Sequence, residues 1–328
     1  MTIAKNRAHL TASVAAFVLV FLAGCGAGDN GEGGTNTVST TTFPRGGPQL
    51  INVDHSTFDA FLLASADNNP LFADVYAIRF DDFGVDRLTT DKRVSTLSAD
   101  GDRLVVAAAD KDVDRLAKVD EDGNLVPIPG LGRPFAYTPI LRDGVMYFHD
   151  SQGEAKGKYR YYAWNLKSQT KTLTFASSES VGSAQPLGGG RFLVSTSDSR
   201  DLDQLVIRSK SSRLKEYPVG GIVSGLAPGK KYLAATIVAA DDKFGDRPEA
   251  LALVDLASGK VERIEGLQLI CWNPAGTKLL ARRTDSPTDS RLVLLDPSNP
   301  SAPVDVATVS GLVIYSGTWV RGEVPAAR

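Results

Sequence analysis

The sequence predicts an all-β protein, a β-propeller of six four-stranded blades, and three observations predict it. From about residue 49 to 323, short apolar runs alternate with turn residues and no helical period is sustained. Within that span a unit recurs: a glycine turn, a basic residue, an apolar strand, then an aspartate opening a polar loop. The last apolar run, Leu312-Val313-Ile314-Tyr315-Ser316-Gly317-Thr318-Trp319, parallels Leu267-Gln268-Leu269-Ile270-Cys271-Trp272, the first strand of the preceding unit.

The unit is clearest in Ser98-Ala99-Asp100-Gly101-Asp102-Arg103 followed by residues 104–110, and in Asn273-Pro274-Ala275-Gly276-Thr277-Lys278 followed by residues 279–285. Weaker copies end at Asp150, Asp198 and Asp241, and a degenerate first copy at Asp67. The loop-opening aspartates Asp67, Asp110, Asp150, Asp198, Asp241 and Asp285 are 43, 40, 48, 43 and 44 residues apart. A second strand follows each loop, then another turn such as Asp122-Gly123-Asn124, then a short polar strand. A period near 40–45 with four short strands is that of a propeller blade.

Burial explains the ring. A twisted four-stranded sheet that is apolar on both faces must be covered on both, and a closed circle of such sheets covers every member. The C-terminal run has no second strand after it, whereas the first unit has only its later strands. The C-terminal strand is therefore expected to complete the first blade, giving six. Residues 50–53 are the other candidate for that position and would make the count seven.

Ahead of the repeats, residues 10–22 form an apolar run preceded by Lys5, Arg7 and His9 and followed by Ala23-Gly24-Cys25. A positive segment, an apolar segment and small residues describe an export signal. Leu22-Ala23-Gly24-Cys25 resembles the bacterial lipobox. That resemblance implies that residues 1–24 are removed and that Cys25 becomes a diacylglyceryl-bearing N-terminus. An ordinary secretory signal and an uncleaved anchor are the alternatives. The anchor is disfavoured, because a spanning helix needs roughly 20 apolar residues. Residues 25–48, the Cys25 position and a Gly/Thr-rich stretch, read as a flexible tether; residues 324–328 read as a disordered tail.

The glycine turn, apolar strand, loop aspartate and following strand together resemble the TolB-like propeller repeat. Asn273-Pro274-Ala275-Gly276-Thr277-Lys278 and Ser98-Ala99-Asp100-Gly101 keep part of that family's turn, and Trp272 stands just before it, where the family often has tryptophan. The resemblance implies architecture. It does not imply a function, because propellers host many unrelated roles.

Composition narrows the chemistry. With 36 basic and 38 acidic residues there is no global field favouring nucleic acid. Of two cysteines, Cys271 sits among Leu269, Ile270 and Trp272 and reads as a buried core residue. Beyond the leader the histidines are His55 and His149, too few for a zinc site of the usual kind. His149, ending an inner strand, is the one candidate for the histidine that quinone-dependent propeller dehydrogenases place over their cofactor; a locally bonded rim residue is the plainer reading. No G-x-S-x-G nucleophile elbow occurs. Tyr159 and Tyr161 are expected on one face of their strand and Tyr162 and Trp164 on the other. They serve either as core between blades or as an aromatic surface.

The remaining candidates are carboxylates in the second-to-third strand loops: Asp110, Asp112, Asp150, Asp198, Asp201, Asp241, Asp242 and Asp285. These loops emerge on one face, where they serve as solvated turns, as a rim for a partner, or as oxygen ligands for a cation. Neighbouring Lys111, Arg200, Lys243 and Arg291 neutralise much of their field, and no calcium-loop motif is present. The expected protein is a monomeric, lipid-anchored module on the outer face of a cell membrane or the periplasmic side of an envelope membrane. It binds another envelope protein, without nucleic acid, cofactor or catalysis. The alternatives are a lactonase- or sugar-dehydrogenase-like enzyme and a small-ligand or glycan carrier.

Overall fold

The computed structural model of the chain describes residues 39–42, 55–66, 73–90, 94–100, 103–110, 113–128, 136–150, 159–177, 181–197, 203–238, 249–322 and 324. Within them every regular element is a strand except one 3₁₀ turn, His55–Thr57. After strand β1 (Ser39–Thr42), the first blade holds β2 (Ala60–Ser65), β3 (Asp74–Ile78) and β4 (Val85–Arg87). The second holds β5 (Val94–Asp100), β6 (Arg103–Asp110), β7 (Val113–Val119) and β8 (Leu125–Pro127). The third holds β9 (Ala136–Arg142), β10 (Val145–Asp150), β11 (Tyr159–Asn165) and β12 (Thr170–Ser177).

The fourth blade begins with β13 (Val181–Gly188), β14 (Arg191–Ser197) and β15 (Asp203–Arg208). Its outer strand is the first half of β16 (Arg213–Pro228), whose second half is the inner strand of the fifth blade. The strand turns this corner at Gly220-Gly221: Gly220 has φ +74°, and a Cβ on Gly221 would lie 2.8 Å from the Val238 carbonyl oxygen. The fifth blade continues with β17 (Tyr232–Val238), β18 (Glu249–Asp255) and β19 (Val261–Glu265). The sixth holds β20 (Leu267–Trp272), β21 (Leu279–Arg283), β22 (Ser290–Leu295) and β23 (Val304–Ser310).

The ring closes through β24 (Val313–Trp319), which pairs antiparallel with β2 from Ala60↔Trp319 to Ser65↔Val313 and so supplies the inner strand of the first blade. The described sheets thus make six blades, with the C-terminal strand as clasp. Residues 50–53 lie outside the described residues.

Period-two alternation builds the interior. Along β6, Leu104, Val106 and Ala108 join a cluster with the first blade, while Val105 and Ala107 face the third. The buried apolar residues fall into six such clusters, one at each blade-to-blade seam. The cluster joining blades six and one decides closure. It packs Ile270, Leu280, Leu292 and Val309 against Leu62, Ile78, Ile314 and Trp319. Cys271 lies in this seam as expected, 5% exposed, and burial pushes its thiol pKa far above the ordinary value. Val324 is also buried there, one residue past the boundary the sequence set for the packed domain.

Polar ties run between neighbouring blades at one repeat length. The Leu141 N–H donates to Ser98 Oγ (2.8 Å), Arg142 Nη1 to the Pro186 carbonyl (2.9 Å), and Gln185 Nε2 to the Leu226 carbonyl (3.0 Å). Trp272 Nε1 donates to the Ala227 carbonyl (3.0 Å) and Gln268 Nε2 to that of Tyr315 (3.1 Å). These partners are 41–47 residues apart, so the period read from the sequence is also the spacing of the bonds that hold the ring.

β1 departs from the expectation of a tether that makes no regular structure. Ser39–Thr42 pairs in parallel with Ala307–Ser310 of β23 and extends the outer edge of the sixth blade. Three consecutive threonines, Thr40, Thr41 and Thr42, suit an extended backbone. An exposed edge strand offers unpaired N–H and C=O groups to receive it.

Candidate functional site

Strand direction sorts the connections onto two faces. First strands run away from one face, here the loop face, and second strands return to it, so every second-to-third connection lies there. There residues 239–248 join β17 to β18 and residues 151–158 join β10 to β11, though only two residues join β6 to β7; on the opposite, turn face two residues join β9 to β10 and two join β13 to β14, while eight join β22 to β23. Long loops on a rigid scaffold are where binding residues concentrate.

The candidate carboxylates are distributed unevenly. Asp110 is the last residue of β6, opposite Val113, and Asp150 the last of β10, opposite Arg160; each closes its strand instead of opening the loop. Asp285 follows β21 and pairs with Arg291 Nη1 at 3.1 Å. Asp112, Asp198, Asp201, Asp241, Asp242 and Cys25 lie outside the described residues. Among those described, no three His, Cys, Asp or Glu side chains come together as a metal-binding group.

Two aspartates of the same loops have structural work instead. Asp203 Oδ2 accepts the Val223 N–H (2.7 Å) and Asp289 Oδ1 accepts the Gly311 N–H (2.8 Å), each where the chain enters the next blade's inner strand. Beside Asp289, the fully buried Ser290 accepts the Ile314 N–H (2.8 Å). These side chains fix where the inner strands begin.

His149 is 4% exposed and stacked on Tyr161, with ring centroids 4.9 Å apart, and on Tyr159 at 5.8 Å. Tyr161 stacks in turn on Phe175 (4.6 Å), which meets Phe192 of the fourth blade (5.0 Å). The column fills the seam between blades three and four, and Tyr162 and Trp164 face the seam on the other side, as alternation requires. The histidine is core packing rather than a rim group.

Sequence reasoning missed a buried polar cluster at the loop-face ends of blades five, six and one. Arg282, the register partner of Gln268, is 7% exposed, and its Nη2 lies 3.7 Å from Glu249 Oε2. Among the described residues, Arg282 Nε and Nη1 and Gln268 Oε1 have no hydrogen-bond partner. Burial lowers the guanidinium pKa against the attraction of Glu249, and burial raises that of Glu249 against the attraction of Arg282. Burial outweighs pairing for both, the usual balance for an enclosed ion pair. Tyr315 nearby is pushed up to about 12 by burial, opposed by Arg282 and by a hydrogen bond with Ser65. Nothing in a sequence marks Arg282 for burial, because its neighbours come from three blades.

A raised phenol pKa favours folding below the ordinary value, near 10, and that contribution is lost as pH climbs from there to about 12. Thermal midpoints measured across that window are expected to fall less steeply for Tyr315→Phe than for the natural chain.

On the turn face, a groove of about 950 Å³ beside blades two and three is lined by Arg103, Lys118 and Lys167 together with Asp120, Glu121 and Asp143. Its mixed charge selects no one sign of ligand.

No family model and no curated protein matches the chain. Among solved structures it is similar to TolB from Acinetobacter baumannii, with 13% identity, 81% of this chain and 68% of that chain covered, and a TM-score of 0.52. It is also similar to XC5397 from Xanthomonas campestris, a gluconolactonase, with 14% identity, 73% and 87% covered, and a TM-score of 0.50. At such identities the likeness is one of fold: the chain is a β-propeller.

Proposed function

We propose that the protein is a membrane-tethered extracytoplasmic lipoprotein whose propeller binds another cell-envelope protein through its loop face, without catalysis. The observation that carries this reading is the length of two second-to-third connections on the loop face, ten residues between β17 and β18 and eight between β10 and β11. A ring with six packed seams holds the strand ends that flank those connections at fixed spacing, which suits recognition of a broad surface. The tether supports it by holding the module at high local concentration near partners in the same envelope.

Photo-crosslinking side chains at Thr288 on the loop face and Ser258 on the turn face test this in intact cells. A discrete adduct from Thr288 and none from Ser258 is expected; no adduct from Thr288, or the same adducts from both, overturns it. The tether is tested separately. Mass spectrometry of the N-terminal peptide of the natural protein is expected to find a diacylglyceryl group on the Cys25 thiol. A mature N-terminus carrying a free thiol overturns that part.

A further inference from the structure

The turn face is electrically divided. Lys167, Lys210, Lys230, Lys231 and Lys278 stand exposed on turns of blades three to six, and Arg191 is exposed at the turn-face start of β14. Among the described residues none of the six forms an ion pair. Other cations of the sector are already matched, Lys260 by Glu262 at 3.2 Å and Arg213 by Glu216 at 2.8 Å. Its carboxylates are tied into their own turns: Asp255 accepts the N–H groups of Ala257 and Ser258, and Asp296, near Lys278, accepts the N–H and the hydroxyl of Ser298. On blades one and two the same face is acidic, through Asp81, Asp82, Asp120, Glu121 and Asp122.

The course of the N-terminal segment adds a direction. β23 runs from the turn face to the loop face and β1 lies parallel to it, so the Ser39 end of β1 stands at the turn face beside blade six. Blade six borders the basic sector. The 14 residues from Cys25 to Val38 reach at most about 50 Å.

We propose that the basic turn face of blades four to six seats on an anionic lipid surface, so that the loop face points away from the membrane. A tether attached at the Ser39 end of β1 and unpaired cations on this face act together: the first limits the distance and the second sets the tilt. Such attraction falls off within a Debye length, about 8 Å at physiological salt. The acidic turns of blades one and two are repelled by the same surface, which makes the seating one-sided. The geometry of the seating rests on the tether reading, but the charge interaction can be measured without it.

The test is co-sedimentation of the full chain carrying Cys25→Ser with vesicles of phosphatidylcholine, alone or with phosphatidylglycerol. At low salt, binding to the anionic vesicles is expected to exceed that to the zwitterionic ones at least tenfold, and the preference to vanish in high salt. Combined Lys230→Glu, Lys231→Glu and Lys278→Glu is expected to abolish the preference with an unchanged thermal midpoint, while Arg291→Glu on the loop face leaves it intact. Should the triple variant fail to fold, Arg191→Glu with Lys210→Glu on blade four gives the same readout. Equal binding to both vesicles, or an anionic preference that survives charge reversal, overturns the proposal. Failure of the tether reading shows elsewhere, as an unmodified Cys25 in the natural protein.

Discussion

Truncation after Gly311 is expected to abolish cooperative folding. The removed strand carries Ile314 and Trp319 of the blade six–one seam, together with Leu312 beside it and the whole ladder to β2. Burying each such side chain stabilises by about 1.5–3 kcal/mol. With the ladder, the loss is comparable to the whole net stability of a domain, about 5–15 kcal/mol. β2 is buried along its entire length and would become an unprotected apolar edge, prone to pair with other chains. Size-exclusion chromatography should show aggregates, and thermal melts no sharp transition. A synthetic peptide spanning residues 311–324 is expected to restore a transition by re-entering the gap. A truncated chain that melts as sharply as the natural one would refute the clasp.

Trp272→Ala is expected to destabilise the protein by about 3–5 kcal/mol, the range for removing a large buried aromatic side chain. Trp272 is 7% exposed, donates its indole N–H to the Ala227 carbonyl, and lies flat against Gly229, where a Cβ would come within 2.8 Å of the ring. Trp272→Phe keeps most of the packing but strands the carbonyl, so a loss of about 1–3 kcal/mol is expected. Gly229→Ala should be damaging only while the indole is present. Denaturant unfolding of the single variants and of Gly229→Ala/Trp272→Ala checks this, because the double variant is expected to be far less unstable than the sum of the two. Additive losses would mean that the ring and the glycine do not share one space.

Much of the architecture was legible because it is written in short-range pattern. The unbroken apolar run of residues 104–108 announced a strand covered on both faces, and the likeness of residues 312–319 to residues 267–272 announced the clasp. Cys271 was readable as core from its apolar neighbours. Trp272 was noticed as a feature of the turn, but its role depends on Gly229, one blade away.

The polar groups were less legible for the same reason. Asp203 and Asp289 look like loop acids, yet each accepts an N–H from the following inner strand, 20 and 22 residues later. Arg282 looks like a strand-end cation and is enclosed by residues of neighbouring blades. His149 was weighed as a rim group and is stacked within an aromatic column. Ser39–Thr42 carries no apolar alternation at all; its pairing depends on an open edge that only the folded sixth blade provides.

The corner at Gly220-Gly221 has a mechanical meaning. Because β16 serves blade four and blade five as one unbroken strand, those two blades are spliced, and tension between them is borne along the backbone itself. Inside blade one there is no such splice: the clasp β24 is joined to blade six through residues 311 and 312, but is held to β2 by hydrogen bonds and packing alone. Under load the circle has a hinge side and an opening side, fixed by where the chain is continuous and where it is merely laid alongside itself.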